Sequence, residues 1–210
     1  MLDNVELLGH STIKFTKDWT IYFDPFNIKD EKHDADFIFC THAHYDHFSP
    51  RDIEKVMNEY TVIITVEDKL TDALKLGFKN NNIYNVKPDY KFDVRGVKFI
   101  TTYAYNKEKM YHPKENEWVG YVIDIQGIKY YIAGDTDFVD EVKNVKCDVA
   151  FLPVGGTYTM DSEEAASMAN FIKPKIAVPI HYGSIVGTAQ DAQKFVRLLD
   201  SDIKGKIMMW

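Results

Sequence analysis

The segment "HAHYDH", residues 42–47, places three histidines and one aspartate within six positions. In an extended backbone alternate side chains point the same way, so the imidazoles of His42 and His44 can reach one metal ion. Asp46 and His47 come after a turn of the chain and can reach a second ion nearby. Imidazole and carboxylate ligands suit Zn²⁺, and they also accept Mn or Fe. The alternative is a polar surface loop that binds nothing.

Further residues of ligand type lie at or near predicted strand ends. Asp135 ends the strand pattern "KYYIAGD", where a carboxylate can bridge two ions; the alternative is a turn made by its side chain. His181 follows the strand pattern "KIAVPI", where a single histidine would more often be structural. His112 lies in a loop. Because α/β folds place ligands at the carboxyl ends of strands, the shared position favours a binuclear metal site.

A buried strand and a helix flank the histidine cluster. The run "ADFIFC" is continuously apolar, as is typical of a strand buried on both faces. After the cluster, Ser49 can cap a helix whose first turn holds Pro50 and Asp52. Later segments predict three more helices, in "EDKLTDALKLG", "DSEEAASMANFIK" and "TAQDAQKFVRLL". This alternation predicts an α/β protein with two mixed sheets packed together and helices outside.

The length of 210 residues suits one domain spanning residues 1–210. No proline-rich linker or low-complexity segment divides the chain. The two cysteines do not indicate a disulfide framework. Cys40 ends an apolar run, as expected of a small buried hydrophobe.

Charge and hydropathy exclude some classes of function. The formal net charge of −7 argues against a broad nucleic-acid surface. No run approaches the roughly 18 apolar residues of a membrane span. The N-terminal residues lack the pattern of a signal peptide. We therefore expect a cytoplasmic protein that acts on a small-molecule substrate, and a homo-oligomer is compatible with the sequence.

Three motifs in this order, "THAHYDH", "GDTD" and "PIHYG", resemble those of the metallo-β-lactamase superfamily. The segments "LLGHSTIKF", "IYFDPF" and "FLPVGGTYTM" resemble its small bacterial metal-dependent hydrolase branch, which includes the L-ascorbate-6-phosphate lactonase-like proteins. The resemblance covers most of residues 5–185. It implies a four-layer αβ/βα sandwich with a binuclear metal site between the sheet edges.

The resemblance also implies a role for each ligand. The implied ligands are His42, His44 and a third histidine for the first ion, Asp46, His47 and His181 for the second, and Asp135 as the bridge. Many members place the third histidine just after a strand, whereas "GVKFITTYAYN" ends without one. His112 is the remaining candidate, because His33 lies in the charged segment "KDEKHDAD" and reads as a solvated side chain.

Residues close to these motifs are candidates for supporting roles. His10, in "GHS", is predicted to support the site rather than to bind metal. Asp24 can orient a histidine ligand, or it can simply begin the turn before Pro25. Side chains that can hydrogen-bond a substrate, with core packing as the alternative for each tyrosine, are Tyr105, Asn106, Tyr158 and Tyr182.

These features predict a metal-dependent hydrolase with two divalent metal ions, most often Zn²⁺. Two such ions lower the pKa of a shared water toward about 7, so that hydroxide is available at neutral pH. Asp46 can relay the proton as well as bind metal. A lactone or ester is the first substrate class and a phosphodiester the second. A non-enzymatic metal-binding protein is the third reading, and the full ligand set argues against it.

Overall fold

The computed structural model describes residues 1–209, which pack as two compact units. The first unit comprises Met1–Val86 together with Met209, and the second comprises Lys87–Met208. Each unit contains one mixed β-sheet, as the sequence predicts. The assignment of residues 1–210 to one domain stays a prediction.

The sheet of the first unit has six strands, which neighbour one another in the order of the chain. They are β1 (Val5–Gly9), β2 (Thr12–Lys17), β3 (Trp19–Phe23), β4 (Phe37–Phe39), β5 (Val62–Thr65) and β6 (Ile83–Asn85). The first three strands form an antiparallel meander, and β3 to β6 run parallel. The carboxyl ends of β3, β4 and β5 therefore meet at one edge of this sheet.

Two helices accompany this sheet. Helix α1 (Pro50–Val56) begins where the sequence predicts it, because the Ser49 side chain accepts a hydrogen bond from the Asp52 N–H. The next predicted helix begins with a 3₁₀ turn (Glu67–Lys69) and continues as α2 (Leu70–Lys75). The helices pack against the sheet through one apolar cluster, which includes Ile38, Ile53, Val56, Ile63 and Ala73.

Cys40 lies in the same apolar cluster and is fully buried. Burial raises the pKa of its thiol well above the ordinary value. A thiol held in its neutral form is a poor nucleophile and a poor metal ligand. Cys40 is thus a small buried hydrophobe, as its position in the apolar run predicts.

The sheet of the second unit has seven strands, in the order β13-β12-β11-β10-β9-β8-β7. They are β7 (Lys91–Val94), β8 (Val97–Tyr103), β9 (Val119–Ile125), β10 (Ile128–Ile132), β11 (Val149–Pro153), β12 (Ile176–Ile180) and β13 (Lys204–Gly205). Strands β7 to β10 are antiparallel neighbours, and β10 to β13 run parallel. Strand β8 is therefore parallel to β10. The carboxyl ends of β8, β10, β11 and β12 point to one edge of this sheet.

Local sequence signals explain the turns and helix starts of this unit. Gln126 and Gly127 both have positive φ (53° and 78°), which suits the two-residue turn between β9 and β10. Helix α3 (Ser162–Ile172) is capped by Asp161, and α4 (Ala189–Arg197) begins with the predicted capping box of Thr188 and Asp191. No helix within residues 1–209 is long and apolar enough to cross a membrane.

Candidate metal centre

In the first unit, the histidine cluster follows β4 and Asp24 follows the neighbouring strand β3. The Asp24 N–H donates to the Phe39 carbonyl (2.9 Å), which extends the pairing of these two strands to their ends. Asp24 adopts a left-handed backbone conformation (φ 44°), so the chain turns immediately after it. Its carboxylate is buried beside the loop that carries His42 and His47.

Hydrogen bonds fix which nitrogen of His47 and His42 is available to a metal. The Nδ1 of His47 lies 2.7 Å from Asp24 Oδ2, and a carboxylate is an acceptor, so this nitrogen donates. The Thr41 hydroxyl donates to Asp24 Oδ2 (2.8 Å). Its oxygen therefore accepts from His42 Nδ1 (2.9 Å). In the neutral form of both imidazoles Nε2 then carries the lone pair, and this is the form that binds metal.

These Nε2 atoms lie close to other atoms of ligand type. His42 Nε2 is 3.2 Å from His44 Nδ1, and His47 Nε2 is 3.5 Å from Asp46 Oδ2. Two atoms bound to one Zn²⁺ at about 2.0–2.2 Å are about 3–3.6 Å apart at octahedral or tetrahedral angles. The observed separations are therefore those of ligands that can share an ion.

His10 lies against the same cluster. Its Nε2 is 3.0 Å from Asp46 Oδ2, and one ligand atom of each of His10, Asp46 and His47 lies within 4.8 Å of the other two. His10 itself adopts a left-handed backbone conformation (φ 49°) at the turn between β1 and β2. The structure places His10 where it can hold the Asp46 carboxylate in position or bind an ion beside it.

In the second unit, the Asp135 carboxylate contacts two histidines. Its Oδ2 lies 3.0 Å from His181 Nε2 and 3.3 Å from His112 Nε2. All three side chains are buried. Asp135 follows β10 and His181 follows β12, at the edge where parallel strands of this sheet end. The Asp135 carboxylate thus lies within reach of the Nε2 atoms of two imidazoles from different elements.

His112 comes from a loop, and Asn106 holds it in place. The Asn106 Oδ1 accepts from His112 Nδ1 (2.9 Å) and from the His112 N–H (3.2 Å), while the Asn106 N–H donates to the His112 carbonyl (2.8 Å). These bonds join the two ends of the segment 107–111. They leave Nε2 of His112 directed at Asp135. His112 thereby reaches the strand-end ligands although it does not itself follow a strand.

His181 needs room that only a glycine at position 155 provides. A Cβ on Gly155 would lie 2.5 Å from the His181 carbonyl oxygen and 3.2 Å from its Nδ1. His181 also has a left-handed backbone (φ 58°), which turns the chain as β12 ends. Gly155 belongs to the segment "FLPVGGTYTM", so close packing against His181 is one reason for a glycine there.

Two supporting residues were not predicted from the sequence. Thr41 joins Asp24 to His42, as described above. Asp137 accepts from the Asn106 side chain (3.0 Å), from the Lys107 N–H (2.9 Å) and from Lys109 (2.5 Å). Both residues stand inside the quoted motifs, next to a ligand or two positions after one, and that adjacency was the available signal.

The predicted substrate contacts fall into different places. The Asn106 side chain is hydrogen-bonded to His112, as described above. Tyr105 donates its hydroxyl proton to Glu141 (2.8 Å), and burial together with this bond raises its pKa. The Tyr158 ring packs edge-on against Tyr111 (4.7 Å between centroids), and Tyr182 is fully buried. Burial of Tyr182 agrees with its alternative role in the core.

Most side chains of the predicted ligand set are buried, and burying a charged group is unfavourable unless its charge is compensated. Of the seven predicted ligands, only His44 is more than slightly exposed. Buried carboxylates are strongly unfavourable unless charges or hydrogen bonds compensate them. A divalent cation would add compensating charge. The donor set of imidazole nitrogens and carboxylate oxygens, with the Nδ1 atoms of His42, His47 and His112 already engaged, fits Zn²⁺.

The family model of the beta-lactamase superfamily domain matches residues 4–181, which include every predicted ligand. The chain belongs to the metallo-β-lactamase superfamily. Relatives of similar length include a UPF0173 metal-dependent hydrolase of Listeria monocytogenes, 33% identical over 217 residues, with 95% of this chain and 94% of the relative covered. Another, of Thermococcus onnurineus, is 30% identical over 208 residues and covers 93% and 91% of the two chains.

Solved structures agree with this membership. A protein of Parabacteroides distasonis assigned as a metal-dependent hydrolase has a TM-score of 0.81 and 30% identity, with 98% of this chain and 93% of that chain covered. Igni18, a metallo hydrolase of Ignicoccus hospitalis, has a TM-score of 0.80 at 23% identity and covers 97% and 94% of the two chains; it shows the fold alone. The predicted fold class is confirmed: two mixed sheets with helices, as in the metallo-β-lactamase α/β sandwich.

Replacing Asp24 with alanine is expected to lower metal affinity by about 10–100-fold, the range typical of a lost partner to a histidine ligand. The change leaves the His47 Nδ1 and the Thr41 N–H without their buried acceptor. Isothermal titration of Zn²⁺ into both proteins measures the effect. Asp34→Ala, which removes a carboxylate bonded to Lys14 and Tyr22 in the same unit, is the control and should leave Zn²⁺ affinity unchanged. Equal losses in the two variants would contradict the orienting role.

Proposed function

We propose that this protein hydrolyses a lactone or ester of a small molecule with two divalent metal ions, most often Zn²⁺. The observation that carries the proposal is the arrangement of Nε2 atoms around carboxylates. His47 and His112 each have Nδ1 held by a side-chain oxygen and Nε2 within 3.5 Å of an aspartate oxygen. Histidines whose Nδ1 is held by a side-chain oxygen are suited to bind metal through Nε2. Because relatives of this chain bear the name metal-dependent hydrolase, this arrangement supports a catalytic rather than a structural role for the metal.

The proposed ligands follow the superfamily pattern. They are His42, His44 and His112 for the first ion, Asp46, His47 and His181 for the second, and Asp135 for both. Divalent ions held by these residues would lower the pKa of water toward about 7 and would stabilise the charge that develops on the substrate oxygen.

The protein's own groups then position ligands and move protons. Asp46 accepts the proton of the attacking water and returns it to the oxygen of the leaving alcohol, as the new bond to the acyl carbon forms and the ester bond breaks. The contact of 3.0 Å between Asp46 and His10 Nε2 keeps that carboxylate in one orientation. Asp24 and Asn106 do the same for His47 and His112. In the lactonase-like branch that the sequence resembles, the cleaved bond is the ester bond of a ring.

A parallel screen tests the proposal. Protein loaded with Zn²⁺, with Mn²⁺ or with Fe²⁺ is assayed against a panel of lactones, carboxylic esters and phosphodiesters, and its metal content is measured by elemental analysis. We expect hydrolysis of lactones or esters, loss of activity with a chelator, and between one and two metal ions per chain. Turnover of phosphodiesters alone would show that the substrate is a phosphodiester and not a lactone or ester. Fewer than one ion per chain after reconstitution, or two ions without any hydrolysis, would contradict the proposed activity.

A further inference from the structure

Two aromatic rings stand beside the metal ligands of the first unit. The Tyr45 side chain is 65% exposed although its neighbours in the chain, His44 and Asp46, are at least partly buried. Its ring meets the partly exposed ring of Phe26 edge-on, with 5.8 Å between centroids and an interplanar angle of 76°. A tyrosine that faces water at this position adds an apolar surface to a loop otherwise occupied by ligands.

This aromatic pair is continuous with the cluster that the proposed function uses. The Phe26 ring packs edge-on against the His10 ring at 5.8 Å, and His10 Nε2 lies 3.0 Å from Asp46 Oδ2. Tyr45 itself lies between two proposed ligands in the chain. A group bound on the rings of Phe26 and Tyr45 would therefore lie close to the proposed ligands His44 and Asp46.

The position of Phe26 is fixed from both sides. Its N–H donates to Thr12 Oγ1 (2.9 Å), and the Thr12 hydroxyl contacts the Phe26 carbonyl (3.2 Å). The next two N–H groups, of Asn27 and Ile28, each donate to the Asp52 carboxylate at 3.0 Å. Asn27 has a left-handed backbone (φ 54°), which such contacts are needed to maintain. The backbone of Phe26 is thus held in place before any ligand arrives, so binding on its ring requires little ordering of the chain.

The charges around the two rings favour an uncharged ligand group. The segments 22–28 and 40–50 contain no lysine or arginine, while both contain an aspartate. A phosphate or sulfate group would find no side-chain cation from these segments beside the rings. An aromatic or alkyl group gains instead from contact with two rings.

We propose that Phe26 and Tyr45 form an aromatic wall that binds an apolar group of the substrate, an aryl or alkyl substituent next to the hydrolysed ester or lactone bond. The proposal rests on the proposed function and narrows its substrate class. The second unit shows a related feature, because Met110 (92% exposed) and Tyr111 (48% exposed) directly precede the proposed ligand His112. Exposed apolar side chains thus accompany proposed ligands in both units.

Binding of hydrolysis products tests the wall separately from catalysis. Phenylacetate and acetate carry the same carboxylate and differ in the aromatic ring. Isothermal titration with each is carried out on metal-free and Zn²⁺-loaded protein. We expect phenylacetate to bind the loaded protein more tightly than acetate. Tyr45→Ala should reduce this preference by about 3–10-fold, as expected for one aromatic contact, and Tyr45→Phe should preserve it. Tyr60→Ala, which removes another exposed tyrosine of the same unit, is the matched control and should change neither affinity.

The outcomes separate the wall from the proposed function. Equal affinity for the two acids in wild-type protein would overturn the wall, and so would a preference that Tyr45→Ala leaves intact. Retained zinc and hydrolysis of unbranched acetate esters alongside either result would leave the hydrolase proposal standing. A ring preference that depends on Tyr45, in protein that hydrolyses no member of the panel, would support the wall and contradict the hydrolase. In metal-free protein, chemical shift changes of Tyr45 and Phe26 on addition of phenylacetate provide the same test without the metal.

Discussion

Asp135→Ala is expected to abolish hydrolysis and to remove at least one bound metal ion per chain. The Asp135 Oδ2 lies 3.3 Å from His112 Nε2 and 3.0 Å from His181 Nε2. A bridge serves both ions, so its loss affects both sites at once. Losing a direct ligand should weaken binding by more than the roughly 10–100-fold that follows the loss of a supporting partner. Elemental analysis and turnover, measured on the same sample, give the two readouts.

Two further variants make the Asp135 result specific. Asp135→Asn keeps the size of the side chain and removes its charge, so it should lose metal while the circular dichroism spectrum stays unchanged. Asp148→Ala removes a carboxylate of the same unit that accepts from the Lys129 N–H, and it should keep full metal content. If Asp135→Ala retained two ions and normal turnover, Asp135 would not be a bridging ligand.

His112→Ala is expected to weaken one metal site by more than about 100-fold and to reduce activity in step, with partial recovery when zinc is added in excess. The reason is that His112 Nε2 is directed at Asp135 while Asn106 holds Nδ1. Titration of Zn²⁺ measures the affinity. Asn106→Ala should give a smaller loss, about 10–100-fold, because it removes the partner and not the ligand. His33→Ala should have no effect, since that side chain is exposed and bonded to Met57 and Glu31.

The graded order of these three variants distinguishes two roles for His112. If His112 contacts the substrate instead of a metal ion, His112→Ala would keep its full metal content while KM rises. Asn106→Ala would then change KM as well, without a change in the zinc titration. Unchanged zinc affinity in His112→Ala would remove this residue from the proposed ligand set.

Local signals made much of the fold predictable from the sequence. Two helix starts were predictable because capping pairs residues three positions apart in the sequence. They are the starts at Ser49 and at the Thr188–Asp191 pair. Strands β4, β11 and β12 are short apolar runs buried on both faces, so their composition alone indicates them. Strand β6 (Ile83–Asn85) was not predicted, because three residues are too few for a periodicity and its pairing with β5 is a tertiary contact.

Asp135 and His181 were proposed as ligands for a different reason, namely their common position at strand ends. Asp135 and His181 are ordinary residues in isolation, and only the parallel strands before them bring them together. The supporting contacts were harder to predict. Asn106 was a candidate for a supporting or a substrate-binding role, and its side chain holds His112, six residues away across a loop. No spacing rule predicts such a bond, because it depends on how the loop returns to its own starting point.

The closure of that loop by Asn106 bears on how this superfamily member can diversify. Both ends of the segment 107–111 are joined by hydrogen bonds between Asn106 and His112, and these bonds do not use the side chains between them. We expect that Lys107, Glu108 and Met110 can be exchanged without loss of these bonds, and loop tips of this kind also tolerate insertion. Substitutions in this segment, made by evolution or in a combinatorial library, can therefore alter substrate recognition while the position of His112 is preserved.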